Sequence, residues 1–248
     1  MMLKAGGATF TLDFFSPVSP TNYVRQSMPY SYLTVSVSGV PRGATVDIMS
    51  EIDNTWTGQG NNVQAFFSQS RGGAHIFTLN GTQSFTYAEN SDMAAWGNVI
   101  LAASSNSRDI RDISYQIGSG PNNAAQFANN GILTNAVSSY TPSDHLAIAY
   151  HLDNSASRGK SPSVTFAIGV EQEEAFNSFG SPLTGYYRAT VSGTEDVVDY
   201  FFADEAAARA EGAKFDQEMI DMGRQISQNY SDILEASVRQ MWVVFSNP

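Results

Sequence analysis

Apolar and polar side chains alternate with a period of two in short runs over the first 190 residues. Residues 8–15 place Phe10, Leu12 and Phe14 on one face, and residues 32–38 alternate in the same way. Successive side chains of a β-strand point to opposite faces, so this period predicts strands with one buried face. The same reasoning predicts strands near residues 44–52, 74–79, 83–87, 98–102, 113–117, 146–152 and 163–170.

Turn-forming residues separate these runs, among them residues 38–39, 71–73, 80–81, 118–123 and 153–154. The Asn-Gly pair at residues 80–81 predicts a tight hairpin, because Asn-Gly suits the mirror-image turns that join antiparallel strands. Many short strands without long helices between them predict a mainly β fold. The expected architecture is an antiparallel, supersandwich-like β-sandwich rather than a parallel α/β sheet.

The period changes near residue 194, where Val197, Val198, Phe201 and Phe202 begin a helical pattern. A second helix is predicted from about residue 232 to 244, with Asn229 or Ser231 as its N-cap. The predicted organisation is a β-sandwich domain over residues 8–192 and an acidic helical segment over residues 194–248. Apolar residues of the second helix, such as Trp242 and Phe245, need cover from the sandwich or from a further domain.

Composition excludes several classes of function. The chain carries 24 acidic and 13 basic residues, a net charge of −11, and residues 195–248 hold 11 acids and four bases, or −7. This balance argues against nucleic-acid binding, which needs clustered Lys and Arg. The chain has no cysteine and three histidines at spacings unlike metal signatures, so no cofactor or metal is expected. No apolar run is long enough to predict a membrane span.

Two loops combine an acid with a tryptophan and are the candidate ligand-binding segments. Asp53, Asn54 and Trp56 follow a predicted strand, and Asp92 precedes Trp96 in the same manner. A carboxylate, an amide and an indole ring can hold a small polar ligand or a glycan, with the ring providing the stacking surface. The alternative is a structural Asp/Asn turn anchored by Trp56.

Catalytic candidates are few. Glu173 and Glu174 follow the predicted strand 163–170 and could serve as acid and base, although clustered acids also suit a helix start. Together with Asp53 they are the candidates for a small, complete hydrolase. His145 and His151 could share a strand face with Asp144 and Asp153 nearby. The sequence contains no Gly-x-Ser-x-Gly motif that would indicate a serine nucleophile.

Several motifs in register resemble the N-terminal domain of the fungal glutaminase A family. They lie at residues 10–20, 31–37, 52–58, 92–97, 167–175, 185–188 and 229–234. The resemblance implies a β-supersandwich that precedes an (α/α) helical barrel domain, in secreted or cell-surface proteins that hydrolyse L-glutamine to L-glutamate and ammonia. It also implies that this chain is a truncated form, lacking the start of the sandwich and the helical domain.

The resemblance assigns no catalytic residue here, because those of the family are expected mostly in the missing part. It implies a non-catalytic domain that braces a helical catalytic domain, which would be its partner; the C-terminal helices could instead form a homo-oligomer. Acceptor patterns at Asn80 and Asn229 are consistent with a secreted glycoprotein. The alternative function is a free-standing sandwich that binds carbohydrate or a cell surface.

Overall fold

Antiparallel pairing joins the strands of a computed structural model that describes residues 1–83, 85–90, 92–105, 109–152 and 161–245, with side chains through residue 238. One sheet has seven strands in the spatial order β1 (Met2–Ala5), β2 (Ala8–Phe15), β3 (Tyr30–Ser38), β12 (Ser163–Glu171), β9 (Asn98–Ala103), β6 (His75–Gly81) and β5 (Val63–Gln69). A second sheet has the order β10 (Ile110–Ser119), β11 (Asp144–Leu152) and β4 (Asp47–Ile52).

Two small hairpins and four helices complete the described elements. The hairpins are β7 (Glu89–Asn90) with β8 (Met93–Ala94), and β13 (Phe176–Ser178) with β14 (Ser181–Leu183). The helices are α1 (Tyr23–Gln26), α2 (Gly120–Asn130), α3 (Thr194–Arg224) and α4 (Gln228–Phe245), and short 3-10 turns span Asn54–Thr57 and Tyr186–Ala189. The predicted mainly β, antiparallel sandwich followed by two C-terminal helices is confirmed.

The chain divides into two compact units. The first contains Met1–Ser16, Pro29–Glu173 and Val191–Phe202, and the second contains Pro17–Met28, Glu174–Thr190 and Ala203–Pro248. Our predicted boundary between residues 192 and 194 remains a prediction. None of the helices in the described part of the chain is long and apolar enough to cross a membrane.

The core of the first unit lies between its two sheets. Phe77, Leu101 and Phe166 of the large sheet pack with Leu146 and Ile148 of the small sheet, and all five are fully buried. Burying a side chain of this kind contributes roughly 1.5–3 kcal/mol. The apolar inner faces therefore hold the two sheets together. The outer face of the small sheet is covered by α2.

That outer face combines an apolar centre with polar ends. Ala147 and Ala149 of β11 pack there with Leu133, Met49 and Phe127. Side chains of a strand alternate between faces, so the histidines two residues beyond this alanine pair lie on the same face. His145 marks one polar end and His151 the other.

The predicted hairpin at Asn80-Gly81 is wrong. Both residues belong to β6, where they pair with Gln64 and Val63 of β5. The chain turns instead after Gln69, where the Ser70 amide donates to the Ala74 carbonyl at 2.9 Å. Gly81 serves packing, because an added Cβ would lie 2.1 Å from the Gln59 side-chain amide.

The turn predicted around residues 118–123 contains a helix start. β10 continues through Ser119 and α2 begins at Gly120, with Pro121 in its first turn. Proline suits that position because its ring presets the helical φ and the first amides have no helical partner. The sequence pattern of Gly, Pro and Asn matches both a turn and a helix N-terminus, and tertiary packing selects the second.

The first turns of α3 belong to the first unit. Val197, Val198 and Phe201 are buried, and the Phe201 ring stacks on Tyr32 at 3.9 Å. The Tyr32 hydroxyl donates to the Phe201 carbonyl at 2.6 Å. Tyr32 alternates along β3 with Leu33 and Val35 of the core between the sheets, so the start of α3 packs on the other face of the large sheet.

The second unit is held by a buried arginine of α1. Arg25 is 5% exposed and donates to Asp204 of α3 from Nε at 2.5 Å and from Nη2 at 2.8 Å, and it also pairs with Glu211. α4 begins at Gln228, and Ser227 Oγ accepts from the Tyr230 amide at 3.1 Å, so neither Asn229 nor Ser231 is the N-cap. The side chains of Trp242 and Phe245 lie outside the described part.

Candidate functional site

A polar cluster lies at one end of the small sheet, on the face covered by α2. His145 Nδ1 is 3.2 Å from Glu51 Oε1, and His145 Nε2 is 4.0 Å from Asp53 Oδ2. The three side chains are 28–32% exposed, so a small molecule can reach them. We call these residues, together with Asn123 and Tyr140, the His145 cluster.

Strand pairing brings the cluster together. Glu51 of β4 pairs with Ala147 of β11, and His145 pairs with Gly118 of β10. The imidazole packs against the start of α2, where an added Cβ on Gly120 would lie 2.6 Å from His145 Cε1. The glycine at the first position of α2 therefore makes room for the ring.

Asn123 lies beside the carboxylate of Glu51. Its side chain is fully buried, and Nδ2 lies 3.0 Å from the Gly118 carbonyl, 3.4 Å from the His145 carbonyl and 3.5 Å from Glu51 Oε2. Its Oδ1 accepts from Gln116 Nε2 at 3.0 Å. The first turn of α2 thus places a buried amide beside the acidic partner of His145.

Tyr140 adds a protonated phenol near Asp53. Burial raises the pKa of Tyr140 to about 12, with the charges of Asp53 and Asp144 adding to the rise. The Asn54 amide opposes the rise slightly, but Tyr140 Oη completes no hydrogen bond with a described protein group. At neutral pH the hydroxyl keeps its proton, and its oxygen is buried beside the cluster.

These groups can accept, donate and hold protons. An imidazole with a carboxylate on Nδ1 is oriented so that Nε2 faces the 4.0 Å gap to Asp53. Such a gap suits a donor group that bridges the ring and the carboxylate. Among the described residues, no three His, Asp or Glu side chains are arranged to hold a metal ion.

A second histidine network, the His151 relay, lies at the other end of the same face. His151 Nδ1 is 2.8 Å from Asp47 Oδ1, and Nε2 is 2.7 Å from Ser114 Oγ. The Leu133 amide donates to Ser114 Oγ at 3.0 Å. Ser114 is fully buried and His151 is 1% exposed, so the relay joins loop and sheet and offers no accessible nucleophile.

The two histidines share a strand face, as the spacing suggested. Their predicted acidic neighbours have other roles: Asp144 accepts from the Thr141 amide at 2.8 Å, and Asp153 lies outside the described residues. The acids that meet the histidines come from β4 and the residue after it. The alternation of Asp47, Met49 and Glu51 on one face of β4 was the available signal.

The acid and tryptophan loops pack against each other within the first unit. Gln59 Nε2 donates to the Gln83 carbonyl at 2.8 Å and to the Ala95 carbonyl at 2.7 Å. Asn90 Nδ2 donates to the Gly58 carbonyl at 2.7 Å, and an added Cβ on Gly58 would lie 2.8 Å from the Ala94 carbonyl oxygen. The buried Gln59 amide and the Asn90 amide therefore tie residues 58–59 to Gln83, Asn90 and Ala95.

The predicted binding residues divide between turn and surface. Asp53 Oδ1 accepts from the Thr55 amide at 3.0 Å, and Asn54 Nδ2 donates to the Gly60 carbonyl at 2.6 Å. The Trp56 ring is 46% exposed. Asp92 is exposed, and Trp96 is partly buried with its ring 5.7 Å from Tyr87. Their roles in binding remain predictions.

Glu173 and Glu174 are both exposed, and residues 172–175 form a bend rather than the alternative helix start. The buried carboxylate of this segment is Glu171, which accepts from the Tyr30 hydroxyl at 2.8 Å and from Thr194 Oγ1 at 2.7 Å. It ties β3 and the start of α3 to β12. The catalytic roles of Glu173 and Glu174 remain predictions.

A family model described as a domain of unknown function (DUF5127) matches residues 1–222. The chain belongs to this family. Glutaminase A of Aspergillus oryzae (strain ATCC 42149 / RIB 40) is 27% identical over 248 aligned positions, which cover 93% of this chain and 34% of glutaminase A. The chain thus spans about a third of the length of this relative. The predicted resemblance to the glutaminase A family is confirmed.

Proposed function

We propose that this chain is a non-catalytic β-sandwich domain of a glutaminase-like amidohydrolase, where it braces a helical catalytic domain. The proposal rests on the similarity to about a third of glutaminase A and on the surface of the helical tail. The amidohydrolase activity is taken from the name of that relative. The activity belongs, in this proposal, to the part of the longer protein that the similarity does not cover.

An exposed apolar row on the second unit carries the bracing role. Met222, Ile226, Tyr230 and Ile233 are 45–67% exposed and recur every three or four residues from the end of α3 into α4. Exposed apolar side chains grouped in this way mark contact surfaces. The row crosses the turn between α3 and α4, so it fits an apolar partner surface that contacts the ends of both helices.

The activity assay uses the purified chain and the complete product of its gene. We expect no release of ammonia from L-glutamine by the chain, and release by the complete product. Glutamine hydrolysis by the chain that is lost in Asp53→Ala or Glu173→Ala would contradict the proposal and support a small, complete hydrolase.

A charged residue introduced into the apolar row tests the bracing role. Ile226→Asp is expected to lower the melting temperature of the complete product by several degrees, because a buried unpaired carboxylate is costly. The same change should leave the chain itself nearly unchanged, since Ile226 is 67% exposed there. Ile132→Asp, at an exposed site of the first unit, is the matched control. Equal effects in both proteins would argue against a covered row.

A second candidate function is binding of a glycan or another small polar ligand at Asp53, Trp56 and the His145 cluster. The exposed Trp56 ring favours it, because an indole face stacks on a sugar ring while carboxylates accept from its hydroxyls. A glycan array is the assay, with Trp56→Ala expected to abolish binding and Phe66→Ala, an exposed strand residue, to retain it. Binding that survives Trp56→Ala would reject this site.

Secretion and glycosylation are further parts of the proposal. Asn229 is exposed at the start of α4, whereas Asn80 lies within β6 with its Oδ1 buried. We therefore expect Asn229 to be the glycosylated acceptor. A mass shift after enzymatic deglycosylation of the secreted protein, absent in Asn229→Gln, is the measurement. A shift that persists in that variant would redirect the assignment to Asn80.

A further inference from the structure

The hairpin of β13 and β14 turns through an aromatic residue in an unfavourable backbone conformation. Phe179 has φ 50° and Gly180 has φ 87°, the signs of a type I′ turn. Asn-Gly is the preferred pair for this turn, since a bulky side chain at positive φ crowds its own backbone. A phenylalanine at the first position opposes the local preference of the chain.

The same residue is the most exposed large apolar side chain of those described. Phe179 has 107% relative exposure, and the paired residues Phe176 and Leu183 below it are 51% and 41% exposed. Residues 175–187 contain no charged side chain, in a chain of net charge −11. The hairpin therefore presents an uncharged apolar tip.

The base of the hairpin is fixed within the second unit. The Ala175 amide donates to the Leu183 carbonyl at 2.8 Å, and the Gly180 amide donates to Asn177 Oδ1 at 2.8 Å. Tyr187, just beyond β14, is buried and its amide donates to Ser27 Oγ at 2.9 Å. An anchored base with an exposed strained tip is the arrangement expected of an element that enters a pocket.

We propose that Phe179 inserts into an apolar pocket of the helical region that makes up the rest of a longer glutaminase-like chain. This inference rests on the proposed function, because it needs the two thirds of the relative that lie outside the match. A protein pocket fits better than a lipid surface. The hairpin has no Lys or Arg to contact lipid phosphates, and the net charge of −11 disfavours anionic membranes.

Photo-crosslinking in the complete gene product tests the contact. Benzoylphenylalanine in place of Phe179 should cross-link to residues outside this 248-residue sequence. The same probe at Phe66, an exposed strand position, should give no such cross-link. Cross-links only to a second copy, only to added phosphatidylcholine vesicles, or to nothing would overturn the proposal. So would a gene product that holds no helical region.

The same probe at Ile226 separates this inference from the function on which it rests. Cross-links to the helical region from position 226 but not from 179 would leave the bracing role standing and reject the hairpin contact. Cross-links from neither position would reject both.

Phe179→Asn should shift the melting temperature in opposite directions in the chain and in the complete product. Asn relieves the turn, so the melting temperature of the chain should rise by roughly 2–4 °C, the shift that one favourable turn contact gives in a domain of this size. The complete product should instead melt at a lower temperature, because the inserted ring is lost. A shift of the same sign in both proteins would overturn the proposal.

Discussion

His145 and His151 lie on the same face of β11, at opposite ends of the small sheet. His151 is 1% exposed and has a partner on each ring nitrogen, at 2.8 and 2.7 Å. His145 is 30% exposed, with one partner at 3.2 Å and the other 4.0 Å away. Saturated, buried hydrogen bonds stabilise a fold, whereas an open position beside an oriented imidazole leaves room for a ligand.

The buried histidine should give the largest effect when it is removed. His151→Ala leaves a cavity and unpaired Ser114 and Asp47, so we expect a loss of about 3 kcal/mol in the free energy of unfolding. Urea unfolding measures it, with His145→Ala as the matched control on the same strand. A loss below about 0.5 kcal/mol, the usual range of surface substitutions, would mean that the relay is not a structural tie.

Gly120→Ala should have an intermediate effect. The added Cβ meets the His145 ring at 2.6 Å, and overpacking costs about 1–3 kcal/mol. Because His145 is partly exposed and can rotate away, we expect the lower end of this range. Gly131→Ala is the comparison at the other end of α2, where φ of 65° makes any side chain unfavourable. An unchanged NMR signal of the His145 ring in Gly120→Ala would contradict the predicted contact.

His145→Gln should cost less than about 1 kcal/mol, because the ring is partly exposed and has one close polar contact, to Glu51 at 3.2 Å. If the His145 cluster binds a polar ligand, the same variant should lose that binding while its unfolding transition stays close to the original. Binding that is unchanged in His145→Gln would remove the imidazole from the ligand site and leave Trp56 as its main contact.

The third histidine, His75, should give the smallest effect, and that effect depends on pH. Burial lowers the pKa of His75, although the Asp112 charge and the Gly73 backbone oppose the shift. The folded state therefore binds this proton less well than the unfolded chain. Its stability contribution is complete above the unfolded pKa of about 6.5 and is lost as the pH falls through that value towards the folded pKa. His75→Gln should weaken the dependence of the melting temperature on pH between pH 7 and 5. An unchanged dependence would contradict the assignment to His75.

Local patterns predicted the elements well where the periodic run of residues was long. The alternation at residues 8–15 and 32–38 matches β2 and β3, and the helical spacing near residue 194 matches the start of α3. The Asn-Gly pair at residues 80–81 misled the prediction, because pairing with β5 and packing against Gln59 override its turn preference. Residue types alone cannot show that competition.

The candidate site shows the same division. Asp53 stood out in the sequence because an acid, an amide and an indole follow a strand there. Its neighbours Glu51 and His145 were not linked to it, since they meet only through the register of β4 with β11. Tyr140 lies in a loop whose position no periodicity describes.

Periodicity, turn residues and family motifs were enough to predict an antiparallel sandwich, two terminal helices and the resemblance to glutaminase A. These properties depend on neighbours in the chain, which a sequence displays directly. Tertiary structure alone decided which histidine is buried, which glycine makes room for a ring and which phenylalanine ends a hairpin in the open. Those outcomes depend on the packing of strands far apart in sequence, where burial and register determine what each side chain meets.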